Sequence, residues 1–251
     1  VPGPRGRGER APGGLVGHVH EVGLAADLLG QGGQGLLAHV DEQYGGAGMD
    51  NVSYALAMEE VSRACASTGV IMSVNNSLYC YPVMAYGTDE QKEKYLTPVA
   101  SGEHLGCYGL TEPDFGSDVA GVKTTAVRDG DEWVVNGQKV WTSGAHVAGM
   151  GFATVRTNPD VPKHDGITMM AIDMHAPGVE VRPLKQTSGA SDFNEVFFND
   201  VFVPDDDVVG PVDGGWTVAR ATLGNESVSI GGGSGGMSMP GAALIAPFDA
   251  H

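Results

Sequence analysis

Cys107-Tyr108-Gly109-Leu110-Thr111-Glu112-Pro113-Asp114-Phe115-Gly116-Ser117-Asp118 is the stretch around which this chain is organised. A short apolar strand ends at Leu110, followed by a hydroxyl at Thr111 and an acid at Glu112. Pro113 stiffens the chain, which then turns through Gly116 into Ser117 and Asp118. Gly116 admits backbone angles that other residues avoid and lets a ligand approach the main chain closely. The two hydroxyls and the free N–H groups add directional hydrogen bonds. The segment therefore reads as a shaped polar loop at the end of a strand.

On its N-terminal side the apolar spacing is helical. Asn51 to Ala66 reads as a helix with Asp50 or Asn51 as its N-cap, and Ser67 to Tyr86 as a second, apolar one. Thr88 caps a third, short and charged, that continues to Leu96, with Asp89 and Glu90 suited to its positive end. Ahead of these, Tyr44-Gly45-Gly46-Ala47-Gly48 forms a tight loop. A moderate helical pattern runs from Val16 to Leu29, and Val1 to Gly14, rich in Pro, Gly and Arg, reads as disordered.

On the C-terminal side the period switches after Gly106 from helical to alternating, which predicts a domain boundary near Ser101 to Leu105. Lys123 to Trp141 reads as a hairpin turning at Asn136-Gly137, a strong short-range turn signal. Further strands are expected at Gly151–Arg156, Ile167–Asp173, Val179–Leu184 and Asn194–Val203. Such a series predicts a small barrel or sandwich. Gly214-Gly215-Trp216 then opens a helix running through Val218, Leu223 and Ile230, after which Gly, Ser, Met and Ala dominate.

The chain of 251 residues, 41% hydrophobic, is long enough for one large or two ordinary domains. Its formal net charge of -17 argues against nucleic acid and against anionic membrane surfaces as partners. No run approaches the roughly 20 apolar residues of a membrane span, and no secretory signal is legible, so the cytoplasm is the expected location. Cys65, Cys80 and Cys107 show neither disulfide nor zinc spacing and are expected as buried free thiols. The histidines are scattered, so no metal site is expected. Gly30 to Gly35 fits a Gly-x-Gly-x-x-Gly pattern, as does Gly231 to Gly236. The first lacks the preceding strand a dinucleotide fold requires, and the second is low complexity.

Tyr108 to Asp118 matches Tyr-x-x-Thr-Glu-Pro-x-x-Gly-Ser-Asp, and the chain resembles the acyl-CoA dehydrogenases, whose flavin-binding signature this is. Tyr44-Gly45-Gly46-x-Gly48 and Gly87-Thr88-x-x-Gln91-Lys92-x-x-Tyr95-Leu96 resemble further phrases of that family. The likeness extends from about Asp41 to Gly231, with a short-chain, butyryl-type N-terminal half and a middle closer to actinobacterial relatives acting on bulkier acyl groups. It implies an α+β multidomain fold: an unrelated stretch at 1–14, a helical domain at 15–104, a middle β-barrel for flavin and substrate at 105–212, and the first helix of a truncated C-terminal helical domain plus tail at 213–251.

The same resemblance implies FAD as cofactor, bound by Tyr108, Leu110, Thr111, Gly116 and Ser117, with Ser117 also bordering the acyl-CoA channel. The family's second flavin element, Trp-Ile-Thr, corresponds to Trp141-Thr142-Ser143, where Ser143 keeps a hydroxyl. A glutamate whose pKa is raised in an apolar pocket suits removal of the α-proton of a thioester. Leu223-Gly224-Asn225-Glu226-Ser227 resembles a Leu-x-x-Glu-Arg phrase of the isovaleryl and long-chain branches of the family, with Ser in place of Arg, and that resemblance implies Glu226 as the catalytic base. Implied partners are an acyl-CoA, an electron-transferring flavoprotein as electron acceptor, and further subunits in a homo- or hetero-oligomer, a tetramer in the family. The alternative is a truncated or non-catalytic subunit that serves as a binding or assembly module.

Overall fold

The computed structural model describes residues 37–233, with side chains as far as residue 224. The patterns at 1–14, 16–29 and 30–35, and the tail past 233, lie outside the described residues. The helical part begins at α1 (Asn51–Ala64), where Asp50 is the N-cap and accepts a hydrogen bond from the Ser53 N–H at 2.8 Å. The helix stops short of the expected Ala66 because Cys65 adopts an extended conformation, and α2 (Ala66–Val74) starts immediately after it.

The apolar helix expected from Ser67 to Tyr86 is a continuous run interrupted by a π-helical stretch, Asn75–Cys80, before α3 (Tyr81–Tyr86). Here polar side chains are buried for a reason. Asn75, Asn76 and Ser77 each donate back to a carbonyl of α2, on Ile71, Met72 and Ser73. Asn75 Oδ1 also accepts the Gly106 N–H at 3.4 Å, which ties the widened turn to the first strand of the sheet.

Thr88 caps α4 (Asp89–Ala100) in a capping box. Its hydroxyl accepts the Gln91 N–H at 3.2 Å while Gln91 Oε1 accepts the Thr88 N–H at 3.1 Å. The helix runs past the expected Leu96 and through Pro98. Gln91 Nε2 goes on to donate to the carbonyls of Asp206 and Val208, both at 2.7 Å. The Tyr95 hydroxyl and the Lys94 ammonium meet Asp207, so this helix is fastened to the far end of the sheet.

Among the described residues that sheet has eight strands: β1 (Gly106–Gly109), β2 (Thr125–Asp129), β3 (Glu132–Ser143), β4 (Met150–Arg156), β5 (Ile167–Asp173), β6 (Val179–Leu184), β7 (Phe193–Pro204) and β8 (Val208–Val209). They follow the order β6-β7-β3-β2-β4-β5-β8, with β1 parallel to β4. The expected barrel takes the form of one curled sheet that brings β1 against β3. β5 is buried along nearly its whole length because it separates two cores. Met169 and Ala171 face the helices with Phe152, whereas Met170 and Ile172 face the sheet interior with Ala153 and Val155. After β8 the chain enters α5 (Gly215–Gly233), whose Val218, Ala219 and Thr222 are buried.

The hairpin expected at Asn136-Gly137 is corrected by the structure. The β2–β3 turn is Gly130-Asp131, closed by the pair Asp129 and Glu132, with Gly130 at φ 63°. Asn136 and Gly137 instead lie inside the long β3, at a shift in its register with β7. The physical reason is the lateral partner. Asn136 exchanges two 2.9 Å hydrogen bonds with Asp200 of β7, and Gly137, at φ 151°, lets β3 pass over Thr124. A Cβ on residue 137 would stand 2.5 Å from Thr124 Oγ1 and 2.6 Å from its Cα. Gly137→Ala is therefore expected to cost about 1–3 kcal/mol by overpacking, read as a lower urea midpoint. Gly130→Asn, where nothing lies within 4 Å, is expected to leave that midpoint within about 0.5 kcal/mol of the parent.

Candidate active site

Two chain segments read separately in the sequence meet at one place. The loop leaving β1 runs alongside the end of β3, where the Val140 N–H donates to the Thr111 carbonyl at 2.8 Å. Glu112 and Phe115 then form a small antiparallel bridge that folds the loop back on itself, setting Gly116 alongside Thr111. Pro113 and Asp114 occupy the tip. Tyr108 and Leu110 pack against the helical core and anchor the loop's first half. Gly116 and Ser117 are exposed, with open space around Gly116.

Trp141 is the conformational outlier of the site. Its φ is 62°, a left-handed value that is a real strain for a bulky residue. It falls at an irregularity where β3 gains a residue on β7: Lys139 pairs with Val196, but Thr142 already pairs with Asn194. The result turns the indole outward, 58% exposed, with its edge toward Phe193 at 5.8 Å between ring centroids. Thr142 points the other way and is buried, its hydroxyl without a partner among the described residues. Ser143 is again exposed.

Behind the loop lies a buried ion pair that the sequence reading did not single out. Lys139 is fully buried, and its Nζ donates to Glu112 Oε1 at 2.8 Å and approaches the Leu110 carbonyl at 3.4 Å. Glu112 also accepts the Lys123 N–H at 2.7 Å and the Thr124 N–H at 3.0 Å. Burial pulls the Lys139 ammonium down to about 8, against the opposing pull of Glu112. Burial pushes the Glu112 carboxyl up, yet Lys139 and the donated N–H bonds hold it below the ordinary carboxylate value. The available signal was a lysine in a strand whose other buried residues, Trp133, Val135 and Val140, are apolar except for Thr142.

Other contacts secure the loop's far side. The Arg156 guanidinium donates to the carbonyls of Ala120 at 2.6 Å, Val122 at 3.4 Å and Lys163 at 2.7 Å, while the Lys163 ammonium pairs with Asp118 at 2.7 Å. The ring of Phe115 sits beneath the Lys123 ammonium at 5.3 Å. The hydroxyls of Thr111, Ser117 and Ser143 and the N–H groups of Gly116 and Ser117 have no hydrogen-bond partner among the described residues. An outward-turned indole on a strand hydrogen-bonded to a loop with several unused donors can hold a planar heterocycle with a polar edge. The position of Glu226 lies on α5, but its side chain is outside the described residues.

Residues 22–103 match the model of the acyl-CoA dehydrogenase N-terminal domain, and residues 107–201 that of the acyl-CoA dehydrogenase middle domain. The chain is 42% identical over 202 residues to the short-chain specific acyl-CoA dehydrogenase of Homo sapiens mitochondria, covering 79% of this chain and 49% of that protein. Among solved structures, the Tcur3481-Tcur3483 steroid ACAD shares 32% identity at a TM-score of 0.76, covering 89% of this chain and 57% of that one. An acyl-CoA dehydrogenase complexed with FAD from Bacillus anthracis shares 31% identity at a TM-score of 0.76, covering 87% of this chain and 37% of that one. The chain thus spans about half the length of the human relative. With two family domains matched in order over a shared fold, the chain belongs to the acyl-CoA dehydrogenase family.

Proposed function

We propose that this protein is an FAD-dependent acyl-CoA dehydrogenase, converting an acyl-CoA thioester to the trans-2-enoyl-CoA. The observation that carries the reading is the strained, outward-facing Trp141, whose neighbour Val140 is hydrogen-bonded to Thr111 at the start of a loop with unused donors at Thr111, Gly116 and Ser117. When bound, FAD supplies the acceptor for the hydride that leaves the β-carbon. Thr111 would donate to the polar edge of the ring, Trp141 would wall one side, and the Ser143 hydroxyl would lie beside them. Tyr108, Leu110 and the Thr142 backbone would shape the floor. Open space at Gly116 lets a ligand approach the main chain, and Ser117 borders both cofactor and thioester. Glu226 takes the α-proton onto its carboxylate.

The domain limits that go with this reading are 15–104 for the helical domain, 105–212 for the middle domain and 213 onward for the start of a further helical domain. An electron-transferring flavoprotein is the proposed electron acceptor, and further subunits of the same or a related chain complete the assembly. In support, the FAD-bound relative has this fold, and another solved relative is named for two gene products.

The reading is tested by titrating the chain with FAD and following visible absorbance together with tryptophan quenching. Saturable binding is expected, and Trp141→Ala is expected to weaken it about tenfold or more, the order of an aromatic stacking contribution. Equal affinity in parent and variant would remove Trp141 from the site. Absence of binding in the parent would overturn the cofactor assignment.

A further inference from the structure

We infer that Glu112, Lys139 and Asn194 are positioning residues: together they clamp the β3 bulge from two sides and hold Trp141 in its outward, left-handed conformation. The inference deepens the functional reading above and rests on it for its consequence, the preformed wall of the flavin site.

A bulge that forces a tryptophan to a positive φ does not persist unless its surroundings over-determine it. The structure shows two sets of restraints, one on each flank. On the N-terminal flank, Lys139 reaches across to Glu112 at 2.8 Å, and Glu112 is itself fixed by two backbone N–H groups. The lysine stem needs a small neighbour to lie flat. Gly109 provides it, since a Cβ there would come within 3.1 Å of Lys139 Cγ. The next residue, Val140, donates to Thr111, so the β3 backbone is pinned to the loop immediately before Trp141.

On the C-terminal flank, Asn194 is fully buried, and its Nδ2 donates to the Thr142 carbonyl at 2.9 Å. The same nitrogen lies 3.2 Å from His146 Nδ1, which links the bulge to the turn that follows it. Trp141 sits between these fixed points, largely exposed, with its edge toward Phe193. Its orientation is therefore set by its neighbours rather than by its own packing.

The test uses the full chain labelled with 5-fluorotryptophan and read by fluorine NMR. Trp133, Trp141 and Trp216 give separate signals, with Trp141 assigned by Trp141→Phe. The variants are Glu112→Gln/Lys139→Met, which removes both charges together, and Asn194→Ala. Thr154→Val, a buried change near the Lys139 ammonium at 3.5 Å, serves as the control. In both clamp variants the Trp141 signal is expected to shift or broaden while the Trp133 and Trp216 signals stay in place, and FAD affinity is expected to fall about tenfold through lost preorganisation. The control is expected to change neither. If the double variant does not fold, Asn194→Ala decides the matter alone.

An unmoved Trp141 signal in folded clamp variants, or an equal movement in Thr154→Val, would overturn the inference. A Trp141 signal that moves in a chain whose parent binds no FAD would support the clamp and overturn the flavin reading instead. The two failures are thus distinguishable.

Discussion

Replacing Glu226 by Gln is expected to lower turnover by about 10²–10⁴-fold, the usual contribution of a positioned general base, while leaving FAD binding unchanged. Gln keeps the shape of Glu but cannot accept the α-proton. Position 226 lies on α5 at the four-residue spacing of Val218 and Thr222, both buried against the core. The helix itself is firmly seated: Gly215 enters so close to β5 that a Cβ would stand 2.6 Å from the Met169 nitrogen. A rate measurement with saturating acyl-CoA and an artificial electron acceptor, set beside the FAD titration, separates chemistry from binding. Turnover equal to the parent's would remove Glu226 from the mechanism.

The second large effect concerns folding. Lys139→Met is expected to cost about 3–5 kcal/mol of stability at pH 7, because it strands the Glu112 carboxylate in the interior without its counter-ion. At that pH Lys139, with a pKa of about 8, still carries its proton and the pair is intact. The partner change Glu112→Leu/Lys139→Met removes both charges and is expected to recover most of the loss, since a well-packed apolar pair is often as stable as a buried salt bridge. Urea denaturation of the two variants checks this directly. A single variant within about 1 kcal/mol of the parent would mean that water reaches Glu112 and that the pair does not anchor the loop to β3.

Much of this architecture was legible because it depends on local spacing. The Asp50 and Thr88 caps, the strands at 167–173 and 179–184, and the start of α5 all follow from residues that are neighbours in the chain. What escaped depends on distant partners. Asn136-Gly137 carries a turn signal in isolation, but β3 finds β7 along its full length, and the pair becomes a bulge locked to Asp200. The interruption of the long apolar helix at Asn75 is set by polar side chains that must reach His39 and Gly106.

The candidate site divides in the same way. Thr111, Gly116, Ser117 and Trp141 were named from their phrases, and the structure brings their segments together through the Val140 to Thr111 bond. Lys139 and Asn194 carry no signal along the chain, because a lysine within a strand and an asparagine near a strand end are ordinary there. Only burial and the partners at Glu112 and Thr142 give them meaning.

The most direct test of the account is the visible spectrum of the purified chain with FAD, recorded before and after anaerobic addition of butyryl-CoA and of a bulkier acyl-CoA. The expected result is a protein-bound flavin whose absorbance bleaches with at least one thioester. A chain that takes up no FAD, or holds FAD that neither thioester reduces, would contradict it, and the second result would point to a non-catalytic binding or assembly subunit.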